Sequence, residues 1–412
     1  MTSEGVTHFR DWGAWGAWGD RAKRLRRLAR VIGFAWLLAS VSRPVMAQEA
    51  EFQSAVDLMQ GGKLPEAEAA WRHLILRYPT SSSARYGLGL VLAQEGSYAD
   101  AATAYRSALA LDPKLADVQF NLGLAEFKQG HFDAAITSLS VAEAQIGDHT
   151  RTGILLGMSH FGLQHYREAV PYLEQAVRAE PANLELRTVL AQSCLRSAQF
   201  GCAMAEYKAI LTANPDSVQA HILLAQALDS MDKPAEAIAE METAGRIAPK
   251  EPNVHFGLGY LYYTQHDYDK AAAQFEAELK NVPQHAQAYA YLGDIRVRNN
   301  EDQAAEVALR KALVLQENLR MAHFDMGRVY ANQRRNPEAI KEFLRAEELD
   351  PTEPDAHYRL ARLYAAQGEK QKADLEFAKT KDLHSKTAES LIQKISGPAE
   401  PAPSRTSTEA AH

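Results

Sequence analysis

Apolar and polar positions along the chain recur at two scales. Over a dozen residues at a time, apolar side chains return every three to four positions, the spacing of one helical face. Over longer stretches the pattern repeats every 34 residues from position 48 to position 381. Stepping by 34 from Pro79 reaches Pro113, Gly147, Pro181, Pro215, Pro249, Pro283, Glu317 and Pro351. Twelve residues before each of these, and once more after the last, stands an alanine: Ala67, Ala101, Ala135, Ala169, Ala203, Ala237, Ala271, Ala305, Ala339 and Ala373. Twelve residues earlier again stand Ala55, Gly89, Gly123, Gly157, Ala191, Ala225, Gly259, Gly293, Gly327 and Ala361, every one small.

Two small residues twelve apart, each set among apolar residues at helical spacing, suit an antiparallel helix pair at its closest approach. Four residues after each alanine lies a large apolar side chain on the same face, Trp71, Tyr105, Leu139, Leu173, Tyr207, Met241, Phe275, Leu309, Phe343 or Phe377. The recurrent proline cannot continue a helix and so closes the second helix of each unit. The predicted unit is therefore helix, tight turn, helix, linker. Ten units are expected, at 48–81, 82–115, 116–149, 150–183, 184–217, 218–251, 252–285, 286–319, 320–353 and a shortened 354–381.

On these residues the chain resembles the tetratricopeptide repeat family, whose pattern joins a first-helix W-x2-L-G-x2-Y to A-x3-F and a closing proline. Repeat seven carries it as His255, Leu258, Gly259, Tyr262, Ala271, Phe275 and Pro283, and repeat nine as His323, Met326, Gly327, Tyr330, Ala339, Phe343 and Pro351. The resemblance implies an all-α fold, a right-handed α-solenoid (superhelix) of ten helix-turn-helix units. Such units bury their apolar faces only by stacking, so the end of the stack needs a cover. Residues 382–396, with Leu383, Ala388, Leu391, Ile392 and Ile395 on one face, are expected to form a capping helix. The Pro/Ser/Thr-rich residues 397–412 are expected to be a disordered tail.

Residues 1–47 follow a different pattern. The basic stretch Arg21 to Arg30 precedes an apolar run from Val31 to Val41, and Val45-Met46-Ala47 supplies small residues for cleavage after Ala47. This is a signal peptide, too short in its apolar core to span a bilayer comfortably. A buried N-terminal helix or an uncleaved anchor is the other reading, and residues 1–20 are explained by none of these. Without residues 1–47 the chain carries 37 basic and 49 acidic side chains, a net charge of −12. An acidic chain repels phosphate backbones and anionic lipid, so protein or peptide partners are expected, with no nucleic acid and no stable membrane insertion after cleavage. The expected location is periplasmic or cell-envelope; oligomeric state is left open.

No phosphate loop, zinc-protease helix or nucleophile elbow occurs, so no catalytic residue, cofactor or metal is assigned. His221, His255, His323 and His357 share the fourth repeat position, about a helix-packing distance of ~8–10 Å apart in a stack, too far to share one zinc ion. They read as replacements for an aromatic packing residue. Cys194 and Cys202 lie eight positions apart across the turn of repeat five. An oxidising compartment would let them pair, whereas the register beside Ala203 turns Cys202 outward and favours two free thiols.

The resemblance also implies that first helices line a concave binding groove. Carried over to this chain, the groove positions of repeats two to four hold Tyr86, Leu90, Phe120, Leu124, Phe127, Ile154, Met158 and Phe161. Read as exposed, this apolar stripe marks a docking surface; read as packed against neighbouring repeats, it is core. The first reading is preferred. Repeat seven adds Phe256, Tyr260 and Tyr263, and repeats eight to ten add Arg298, Arg328, Arg359 and Arg362 with Asp294, Phe324 and Tyr358, a set suited to a carboxylate. The Lys, Arg and Asn groove set of chaperone-binding members is not reproduced: Asn121 fits, but Gly87 and Leu155 stand at neighbouring equivalents. The function expected is a non-enzymatic envelope scaffold that grips extended or helical segments. The alternatives are an accessory subunit of an envelope enzyme, for instance one associated with a glycosyltransferase, and a self-assembling structural subunit.

Overall fold

The structure is a computed structural model that describes residues 42–145 and 149–396, with side chains for 48–145 and 149–386. Residues 1–41 of the expected signal peptide 1–47, Gly147 and the expected tail 397–412 lie outside the described residues. Among the described residues there are twenty α-helices and no strand. They fall in two compact units, residues 1–215 and 216–412.

The first unit contains α1 (Ser42–Gln60), α2 (Leu64–Arg77), α3 (Ser82–Gln94), α4 (Tyr98–Leu111), α5 (Ala116–Gln129), α6 (Phe132–Glu143), α7 (His149–Gly162), α8 (Tyr166–Ala179), α9 (Leu184–Arg196) and α10 (Phe200–Ala213). The second contains α11 (Val218–Ser230), α12 (Pro234–Ile247), α13 (Val254–Thr264), α14 (Tyr268–Asn281), α15 (Ala286–Arg298), α16 (Asp302–Leu315), α17 (Arg320–Asn332), α18 (Asn336–Leu349), α19 (Pro354–Ala366) and α20 (Lys370–Ser396). Odd-numbered helices are the first helices of the repeats and even-numbered ones the second. Within each unit a first helix packs on the second helix of its own repeat and of the repeat before it. This is the α-solenoid connectivity expected from the period.

The small positions do what their spacing predicts. All ten second-helix alanines are buried, nine of them completely. The small residue of the first helix faces the large side chain of the second: a methyl added at Gly293 would meet Leu309 at 2.5 Å, and one at Gly327 would meet Phe343 at 2.7 Å. A side chain there has no room without displacing its partner.

Each hairpin turn carries one residue with positive φ at the fifteenth repeat position. Gly62, Gly96, Gly130 and Gly368 accept it freely, whereas Gln164, Ala198, Asp232, His266, Asn300 and Arg334 take it at a steric cost. The next residue's N–H then donates back to a first-helix carbonyl, as Lys63 does to Leu58 at 3.0 Å and Arg335 to Tyr330 at 2.8 Å, which closes the helix end.

Two expectations change. The last helix runs unbroken from Lys370 to Ser396, so residues 382–396 extend the second helix of repeat ten and are not a separate capping element. Its apolar face beyond Leu383 belongs to residues whose side chains are outside the described set. The two cysteines are bonded, with Cα atoms 5.8 Å apart, which corrects the preference for free thiols. The tight turn at Ala198 folds α10 back on α9 and carries Cys202 onto the buried Cys194.

Candidate functional site

In the first unit the helix face expected to bind is largely occupied by the unit's own side chains. Phe120 (6% exposed), Ile154 (1%) and Met158 (4%) are buried, against the expected exposed stripe. Phe120 joins Leu139, Ala135 and Leu156 in one cluster, and the Arg151 guanidinium lies 5.0 Å from its ring centre. Tyr86 packs on Tyr105 with ring centres 5.9 Å apart, and its hydroxyl accepts from Asn121 Nδ2 at 2.9 Å. Phe127 sits on Phe132 and Phe161 edge-on to Tyr166. Leu90 and Leu124 are half-buried. Packing within and between repeats thus buries three residues of the stripe and half-buries the other five.

The second unit is built differently. A buried carboxylate, Glu278 on α14, accepts from the backbone N–H groups of Asn253 (2.9 Å) and Phe256 (3.1 Å) and so holds the first turn of α13. His285 Nδ1 accepts from Ala288 N at 3.2 Å at the start of α15, so Nε2 carries the proton and donates to Asn253 Oδ1 at 3.1 Å. Phe256 stacks on that imidazole with ring centres 4.4 Å apart. With α13 and α15 fixed in this way, Phe256, Tyr260 and Tyr291 line a cleft of about 370 Å³ with Gln287, Ala290, Leu319 and Met321. Tyr260 is 38% exposed at its rim.

Beside this cleft stands a charged network. Buried Asp294 accepts from Tyr263 Oη (2.7 Å), Arg298 Nε (2.5 Å) and Arg328 Nη1 (2.7 Å), and Arg328 also donates to buried Asp325 at 2.8 Å. Tyr263, Arg298 and Arg328 were expected to meet a partner; the structure gives them to Asp294 and Asp325 instead. Burial pushes the Tyr263 hydroxyl well above the usual phenol range, with the Asp294 bond adding to it. Burial and the neighbouring Asp294 charge push the Asp325 carboxyl up, against the pull of Arg328. Arg359 and Arg362 are exposed, and among the described residues no ion pair reaches either. Burial of its stem and repulsion from Arg328 and Arg362 lower the Arg359 guanidinium below its usual range. Arg362 lies 5.9 Å over the Tyr358 ring.

The fourth-position histidines have a role the sequence reading missed. Each bonds to the residue nineteen positions on: His221 to Glu240 (2.6 Å), His255 to Gln274 (2.8 Å), His323 to Glu342 (2.6 Å) and His357 to Glu376 (2.6 Å), as Arg187 does to Glu206 (2.5 Å). The recurrence of Glu or Gln at +19 was the signal available in the sequence. At His357 a further carboxylate, Glu347 on α18, approaches, its Oε1 3.6 Å from Nδ1.

Family models described as tetratricopeptide repeat match residues 52–116, 154–200 and 256–318, and a second such model matches 92–152 and 195–258. A TPR repeat model matches 327–368 and another tetratricopeptide repeat model 355–387. Among solved structures the chain is similar to YrrB, described as a TPR protein with an unusual peptide-binding site, at 25% identity over 46% of this chain and 97% of that one, TM-score 0.37. It is similar to the Naa15/Naa10 complex bound to HypK-THB at 14% identity over 82% and 63% of the two chains, TM-score 0.49. It is also similar to yeast Tom70 at 14% identity over 85% and 95%, TM-score 0.38. No curated protein matches the chain.

Proposed function

The chain belongs to the tetratricopeptide repeat family, and on that premise we propose that it is an exported scaffold of the cell envelope that grips extended or helical peptide segments on the first-helix face of its second unit. Proteins of this family are generally non-enzymatic interaction scaffolds, so partners are proteins. Among the described residues no helix is long and apolar enough to cross a membrane.

The observation that carries the reading is the half-open aromatic cleft of Phe256, Tyr260 and Tyr291. Aromatic rings exposed on rigid helices offer contact area at low entropic cost and receive an apolar anchor of a partner segment. Arg359 and Arg362, which make no ion pair among the described residues, offer donors to a carboxylate on the same segment. Export is supported by the basic flank, apolar core and small residues before Gln48, and by the Cys194–Cys202 disulfide, a bond typical of oxidising compartments.

A photo-crosslinking residue placed at Tyr260 is expected to capture a protein in intact cells, while the same residue at Val314, 86% exposed on α16, captures none. Equal capture from both positions refutes the assignment of the face. Sequencing the N-terminus of protein released by osmotic shock should read from Gln48; protein retained in the cytoplasm with residues 1–47 attached refutes export.

A further inference from the structure

The histidine ties recur, and among the described residues the one at His357 meets a second carboxylate that could join it around an ion. At the place occupied by Glu347, six of the other repeats carry an apolar residue, Ile75, Leu109, Val177, Leu211, Leu279 or Leu313, and Ile75, Leu109 and Leu313 pack against the core. Glu143 is the one other acid at this place, and Gly245 and, in repeat ten, Lys381 complete the set. A carboxylate at an apolar packing position costs desolvation unless a cation compensates it. Here it turns toward His357 (side chain 3% exposed) and Glu376 (8%), which are already bonded to each other. One ligand atom from each of Glu347, His357 and Glu376 lies within 4.8 Å of the others.

A cation already sits in this cluster. Lys379 Nζ donates to Glu347 Oε1 at 3.0 Å and to Glu376 Oε1 at 2.9 Å. Its side chain is 39% exposed, reaching in from the rim, so it can withdraw into solvent. One imidazole nitrogen and two carboxylates, with a fourth position open to solvent once the lysine leaves, form the donor set of a tetrahedral zinc site. Ligand atoms about 2.0–2.2 Å from such an ion stand roughly 3.4 Å apart. The His357–Glu347 distance of 3.6 Å meets that spacing, and the 2.6 Å His357–Glu376 contact reaches it by a side-chain movement of under about 1 Å.

We propose that Glu347, His357 and Glu376 bind one divalent transition-metal ion of the zinc class in exchange for the Lys379 ammonium, pinning α19 and α20 to α18. The ligands come from α18, α19 and α20, so the ion ties repeat ten to repeat nine. His323 and Glu342, with Leu313 where the third acid would be, provide the internal control for a two-ligand tie.

The test is calorimetric titration of zinc chloride into the chelator-treated full chain, with helicity checked for every variant. One site of micromolar or tighter affinity is expected. Glu347→Gln should weaken it at least tenfold. Lys379→Ala should tighten it severalfold, because the competing cation is gone, and His323→Gln should leave it unchanged. Zinc binding with equal affinity in the wild type, Glu347→Gln and Lys379→Ala overturns the site, as does no binding by the wild type at millimolar zinc. Tightening by Lys379→Ala separates the site from scattered surface histidines, which would not respond to that change.

Discussion

The same repeat positions do opposite things in the two units. In repeats two to four the first-helix face is apolar and turns inward, with Phe120, Ile154 and Met158 buried by neighbours. In repeats seven to ten the equivalent face carries Phe256, Tyr260 and Tyr291 around an open cleft and, next to it, the Asp294–Arg328 network and two arginines that make no ion pair among the described residues. In the second unit polar ties frame the cleft: Glu278 and His285 bond to the helix starts, and Asp294 bonds beside it. In the first unit, aliphatic and aromatic side chains collapse into the available space, as the hydrophobic effect drives them to do.

The contrast can be broken most sharply at Phe120 and Tyr260. Phe120→Ala should cost about 3–5 kcal/mol in denaturant unfolding, as a buried aromatic does, and leave partner capture to whatever fraction stays folded. Tyr260→Ala should cost less than about 1 kcal/mol, since its ring is over a third exposed, yet should abolish capture. Similar losses of stability at both positions would erase the distinction between the two faces.

Helix-pair contacts are expected to be equally tight in both units even though the faces differ. Gly327→Ala should lose about 1–3 kcal/mol through its clash with Phe343. Gly153→Ala, with nothing within 4 Å of the added methyl, should gain about 0.5–1 kcal/mol from helix propensity. A loss at Gly153 comparable with that at Gly327 would mean that the first unit is packed more closely than its structure indicates.

A pH series sharpens the comparison, because the buried carboxylate with the raised pKa belongs to the second unit. Burial and Asp294 raise the Asp325 carboxyl above its unfolded value, so the folded chain holds a proton there that the unfolded chain has lost. Stability from this group is therefore highest below the ordinary carboxylate range and falls as pH rises toward neutrality. Asp325→Asn should flatten that part of the stability profile of the second unit and leave the first unit's unchanged; an identical slope in the variant would contradict the direction of the shift.

The smallest effect is expected at the turns. Arg334→Gly relieves a left-handed backbone at a non-glycine residue and should add about 0.5–1 kcal/mol, whereas the first unit's Gly96 already has that freedom. Thermal unfolding of the two variants Arg334→Gly and Gly96→Ala should move in opposite directions.

The period made much of this protein legible from its residues. Ala339, Gly327 and Phe343 announce a helix pair at contact distance, and the structure seats each as their spacing requires. The histidine ties were legible too, through the Glu or Gln at +19, a separation that histidine–histidine spacing alone does not reveal. The two arginines assigned to a partner, Arg298 and Arg328, could not be told from Arg359 and Arg362 in sequence, because all four share one face. Only the approach of Asp294 and Asp325 separates paired from unpaired.

By itself, then, the sequence determined the repeat, the helix pairing and the small-to-large contacts, because these depend on neighbours at fixed separations along the chain. Tertiary structure alone decided which first-helix face stays open, that Cys194 meets Cys202, and that Glu347 joins His357 and Glu376. Those outcomes depend on sub-ångström to few-ångström differences in how one helix pair settles on the next, and a 34-residue period carries no information on that settling.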